Sequence, residues 1–147
     1  MSGDLIGMGI LKPVVVLAAW TMVMWLWMYA TRLPAMSRAK VDPDALARDP
    51  DANLDRALPP QVQWKAHNYN HLHEAPTVFY AIAIIIAITG TGDGLNEMLG
   101  WTYVGLRIAH SLVQAVWNKV VVRFALFSLS SIVLIALVLH AAIAVFH

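Results

Sequence analysis

The segment FALFSLSSIVLIALVLHAAIAVF, residues 124–146, holds no acid, lysine or arginine. It exceeds the roughly 18 to 20 apolar residues that cross the hydrocarbon core of a bilayer. Two similar stretches precede it, residues 13–30 and 75–92, and a fourth, residues 98–118, is interrupted by one charge, Arg107. Of 147 residues, 59% are apolar and 13% charged, and a small soluble domain could not hide that imbalance in its own core. Lipid must be the solvent. The expected fold is all-α: an integral membrane four-helix bundle forming a single domain over residues 1–147, with helices at about 11–33, 61–90, 97–117 and 120–146. A net charge of +1 provides no basic field for nucleic acid. The absence of cysteine excludes disulfides, a protein thiol nucleophile and cysteine metal sites.

Loop cations set the expected orientation. Arg32, Arg38, Lys40, Arg48, Arg56 and Lys65 precede the second apolar stretch, and Lys119 and Arg123 flank the third connection, whereas the opposite side has Lys12 alone. The positive-inside bias therefore puts the first and third loops in the cytoplasm and both termini outside it. With Lys12 as its only amino-terminal cation and a long apolar run, the first stretch reads as a retained helix rather than a cleaved signal.

Trp20, Trp25, Trp27 and Tyr29 suggest an interfacial aromatic belt, and Met22, Met24 and Met28 read as packing filler rather than as a ligand box. Asp42 before Pro43 has the form of an N-cap followed by a first-turn proline, which predicts a short helix near Asp44 to Arg48. Gly90, Gly92 and Gly94 predict one tight hairpin, and Asn118-Lys119 an even tighter one. Short connections make antiparallel neighbours.

The chemistry sits in polar stripes. His67, Asn70, His71 and Glu74 share one face of a continuous helix, and Arg107, His110, Ser111 and Gln114 repeat the arrangement on the third. Arg123 stands at the start of the fourth. Ionisable groups at membrane depth are costly and mark functional sites by default. A purely structural cluster built on a Glu74–Arg107 ion pair is the alternative, and it leaves the histidines and Arg123 without a role. His67, His71 and Glu74 have a spacing that could ligate metal, but membrane di-iron enzymes use more histidines than this chain offers, so no metal is expected. No Gly-x-Ser-x-Gly elbow occurs.

At these stripes the chain resembles the membrane-associated proteins in eicosanoid and glutathione metabolism, the MAPEG family, in a bacterial-type form. The resemblance rests on Asp42-Pro43-Asp44-Ala45-Leu46 in the long first loop, Ala66-His67, Glu74-Ala75-Pro76, and Arg107-Ile108-Ala109-His110 with Arg123 sixteen residues after Arg107. It implies a homotrimer in the bacterial inner (plasma) membrane that binds glutathione as cosubstrate between subunits near the cytoplasmic side. It further implies a hydrophobic small-molecule electrophile, such as a lipid peroxide or halogenated aromatic, arriving from the bilayer. Carried over by position, Glu74 holds the glutathione amine, His110 seats the tripeptide and Arg123 stabilises the thiolate as the catalytic residue. His67, Asn70, His71, Arg107 and Gln114 complete the expected binding set. The chain departs from the family at His67 and His71, where arginine and asparagine are common, at Gln114, where tyrosine is usual, and at Phe124 in place of a serine. Two functions follow: a glutathione-dependent transferase or peroxidase, and a non-catalytic protein binding lipid or a membrane partner through the same cavity.

Overall fold

The computed structural model of the chain describes residues 6–48 and 57–147. Arg56, counted above among the loop cations, lies outside them. The described residues are helical, with α1 Leu11–Arg38, α2 Pro43–Arg48, α3 Pro60–His71, α4 Ala75–Ile88, α5 Leu95–Leu112 and α6 Val120–Phe146. Three rods, Leu11–Arg38, Pro60–Ile88 and Val120–Phe146, are long and apolar enough to cross a membrane. The stretch carrying Asn96, Glu97, Arg107 and His110, which forms α5, is not among them. It packs against α1 and most extensively against α6.

Local chemistry explains most boundaries. In α2, Pro43 occupies the first turn and the Asp42 carboxylate accepts a hydrogen bond from the Asp44 amide at 3.0 Å, as the sequence predicts. Helix α1 continues to Arg38 with Pro34 inside it, five residues past the expected end. The helix expected over 61–90 is interrupted between His71 and Ala75. Pro76 has no amide hydrogen to give the Leu72 carbonyl, and its ring crowds that oxygen. The end of α3 tightens instead, with His73 and Glu74 amides bonding to the Asn70 and His71 carbonyls at 3.0 and 3.1 Å, and Glu74 leaves the helical region at φ −93°, ψ −101°.

Helix α5 runs on into a wider turn, Val113–Trp117, closed by the Asn118 amide on the Val113 carbonyl, five residues back. Asn118 is left-handed, at φ 53°, ψ 37°, a conformation that asparagine tolerates better than most residues. The chain then reverses into α6.

Buried contacts tie the rods together. Phe79 of α4 stacks on Tyr103 of α5 with centroids 4.5 Å apart. Ser111 of α5, fully buried, accepts hydrogen bonds from Trp20 Nε1 of α1 at 2.9 Å and from Asn68 Nδ2 of α3. Trp20 therefore faces the interior, whereas Trp25 and Tyr29 are exposed and meet edge to face. Met24 and Met28 fill the core, and Met22 faces outward.

At the far end from Asn118, the Asp93 carboxylate accepts the amides of Gly7 at 2.6 Å and Gly9 at 2.9 Å. This clasp joins the approach to α1 to the α4–α5 hairpin. Its backbones lie so close that a Cβ on Gly92 would overlap the Gly7 carbonyl. Lys12 reaches Glu97 at 3.5 Å beside it, an exposed pair worth little.

Two outcomes are expected. Ser111→Ala strands the Trp20 and Asn68 donors and should lower stability by about 1–3 kcal/mol, given what interhelical hydrogen bonds contribute in membranes, measured by denaturant titration in detergent. The Gly7 and Gly9 amides hold the Asp93 carboxyl below the ordinary carboxylate value. Since the folded form is depressed, the contribution is fully present above the unfolded value of about 3.9 and is lost as pH falls through the lower, folded one. Melting curves between neutral and strongly acid pH should show this loss in the native protein and not in Asp93→Asn.

Candidate functional site

The interruption between α3 and α4 does more than bend a helix. It turns His71 and Glu74 toward one another, and the His71 Nδ1 and Glu74 Oε2 atoms lie 2.9 Å apart. A carboxylate can only accept, so Nδ1 carries the hydrogen and donates it. Behind them Arg107, only 2% exposed, donates from Nη2 to the His71 main-chain carbonyl at 3.3 Å. The guanidinium thereby gives a second donor to a carbonyl at the end of α3 that already accepts the Glu74 amide.

Arg123 enters from α6. The π-turn and left-handed Asn118 reverse the chain, and Arg123 Nη1 donates to Asn118 Oδ1 at 2.6 Å, fixing the guanidinium near the top of the helix. His110, one turn after Arg107, stands between, its ring edge-on to His71 with centroids 6.2 Å apart. His71, Glu74, His110 and Arg123 line one open cleft of about 310 Å³ with Val120, Phe124 and Phe127, at the small end of the ligand-site range of about 300–1,000 Å³. Polar and apolar side chains share the lining, with Arg123 among Val120, Phe124 and Phe127 on α6. A larger cleft of about 620 Å³ between α1 and α3 has Arg38 as the one charged residue in its lining among the described residues and gathers no comparable set among them.

Two buried polar atoms of lining residues, His110 Nδ1 and Arg123 Nε, and Arg107 Nε beneath them have no hydrogen-bond partner among the described residues. Such atoms are costly when left unmade. The lining sets one guanidinium, Arg123, and two imidazoles beside one carboxylate, Glu74, with the Arg107 cation buried beneath, so the cleft suits a hydrogen-bonding ligand with charges of both signs beside an apolar one. Among the described residues no group of three His, Cys, Asp or Glu side chains could hold a metal ion.

Of the eight residues singled out in the sequence, four line the cleft: His71, Glu74, His110 and Arg123. Arg107 lies beneath it. His67 and Asn70 are exposed on α3, outside the lining, and Gln114 is buried in the π-turn. The expected common face of His67, Asn70, His71 and Glu74 does not form, because α3 ends at His71 and Glu74 lies beyond it. No Glu74–Arg107 ion pair forms either; His71 stands between them, its carbonyl on the arginine and its ring on the glutamate. The asparagine turned inward is Asn68, which is 1% exposed, rather than Asn70. Asn68, Val120 and Phe127 escaped the sequence reading. A signal existed for the last two, which sit three before and four after Arg123 and so share its face.

The sequence matches the model of the MAPEG family over residues 10–143. No curated protein and no solved structure matches it. With nearly its whole length matched and with apolar helices able to span a membrane, the chain belongs to the MAPEG family of integral membrane proteins.

Proposed function

We propose that the protein is a glutathione-dependent transferase or peroxidase acting on hydrophobic electrophiles. The observation that carries this reading is the convergence of Arg123, His110, His71 and Glu74 in one cleft that Val120, Phe124 and Phe127 also line. Glutathione brings two carboxylates, an ammonium group and a thiol that reacts only as thiolate. The Glu74 carboxylate can accept from the ammonium with its second oxygen, His110 and the arginines suit the carboxylates, and Arg123 is the cation for sulfur. A guanidinium favours the ionised thiol and keeps its own proton. The phenylalanines meet the electrophile. Phe124 in place of a serine removes one hydroxyl from the sulfur's surroundings, and this favours the second reading, a non-catalytic binder of lipid or of a membrane partner.

The active form we propose is a homotrimer of chains with four spans each, α5 forming the fourth within the assembly, in a bacterial inner membrane with the Arg123 end cytoplasmic. Within one chain 22% of the apolar windows of α1 and α6 is buried, which leaves apolar surface for lipid and for neighbouring chains alike. Glu74, whose side chain is 65% exposed, calls for protein or water rather than lipid around it.

Replacing Arg123 with Leu should abolish the thiolate ultraviolet absorbance of bound glutathione and slow turnover of a model electrophile by about 100-fold. Lys119→Ala, beside the Trp117 ring, should change neither. Full thiolate in Arg123→Leu would shift the role to Arg107; no thiolate in the native protein would favour the binder. Native mass spectrometry in mild detergent should show trimers, and monomers under every condition would count against a shared site.

A further inference from the structure

His71 and Glu74 form a dyad in which the thiol reading above gives Glu74 a task and leaves His71 without one, and this inference rests on that reading. The Glu74 carboxylate takes the Nδ1 hydrogen, which fixes the ring in the tautomer whose Nε2 carries a lone pair. The Arg107 guanidinium holds the same residue's main chain through its carbonyl. Ring and backbone are therefore both positioned, in the lining of the cleft that holds Arg123. A neutral imidazole with a carboxylate behind it is the arrangement of a general base, because the carboxylate stabilises the imidazolium that forms.

We propose that His71 is the base that removes the thiol proton. The proton passes from sulfur to His71 Nε2, leaving the electron pair on sulfur as a thiolate opposite Arg123 and an imidazolium held by Glu74. The sulfur pair then forms a bond to the electrophilic carbon while the leaving group departs with its own pair. The proton on Nε2 goes to that leaving group or through water at the exposed Glu74 side, so thiol and R–X give thioether and HX. His110 is the weaker candidate: the one carboxylate of the lining, Glu74, is bonded to His71 Nδ1, and His110 Nδ1 has no hydrogen-bond partner among the described residues. The charged and titratable groups around His71 are Glu74 on its ring, His110 of α5 edge-on to that ring, Arg123 of α6 in the same lining and Arg107 of α5 on its main-chain carbonyl, while α1 contributes no lining residue.

The distinguishing experiment counts protons. The detergent-solubilised full chain is titrated with glutathione at a pH above the ordinary histidine range, in buffers of different ionisation enthalpy, and thiolate absorbance is read on the same samples. In the native protein the thiol proton stays on the dyad, so thiolate forms with almost none released to buffer. In His71→Asn, or His71→Gln should the first variant fail to fold, each thiolate formed releases about one proton, and kcat falls about 100-fold with KM nearly unchanged. Equal proton release in native and variant, at equal thiolate yield, overturns the assignment while leaving the transferase reading intact. Absence of thiolate in the native protein overturns both.

Discussion

One contact governs the region on which the rest depends: a buried guanidinium, Arg107, against the carbonyl of His71. A broken helix within a membrane-capable rod exposes main-chain groups that lipid cannot satisfy, so such breaks survive only where protein or water meets them. Arg107 supplies part of that satisfaction and is in turn sheltered by it. Removing either partner of a desolvated charge contact leaves the other uncompensated, a large penalty compared with a surface ion pair. The break then sets where His71 and Glu74 sit, and those two residues with Arg123 determine what the cleft can bind.

The far end is organised differently. There the Asp93 carboxylate gathers two glycine amides, and glycines at 7 and 92 let the backbones touch. One end of the molecule is thus closed by main-chain contact and the other opened by side-chain chemistry. Between them, Ser111 joins three rods through one oxygen atom. His140 of α6, which sequence position alone sets far from the polar stripes, bonds Asn96 of α5 instead, serving the packing of those two helices.

Much of this was legible in the residues. Apolar length located α1 and α6, the Asp42-Pro43 pair located α2, and the glycine cluster and Asn118 located the reversals. Charge at membrane depth pointed to Arg107, His110 and Arg123. The helix break was harder to read, because Pro76 is tolerated in a first turn as readily as it kinks an interior, and periodicity alone could not say which. A continuous helix sets Asn70 four residues before Glu74 and so on its face, which is why Asn70 looked like a site residue; with the break that pairing is lost, and the inward asparagine of α3 is Asn68. Trp20 escaped for a related reason: an indole serves an interfacial belt or a buried hydrogen bond equally well until its neighbour is known.

The wide turn at Val113–Trp117 has a consequence for comparing sequences across the family. A π-turn accommodates one residue more than an α-turn, so deleting a single residue there would let the segment relax to ordinary helix. Positions downstream would keep nearly the azimuth they have now, because one wide turn and one ordinary turn sweep about the same angle with one residue fewer. Arg123 would still return to Asn118, since both lie beyond the turn. A one-residue gap in this stretch is therefore absorbed where it falls, and relatives that differ by such a gap can keep the geometry of this cleft, whereas the same gap in the regular part of α5 would rotate everything after it by about 100°.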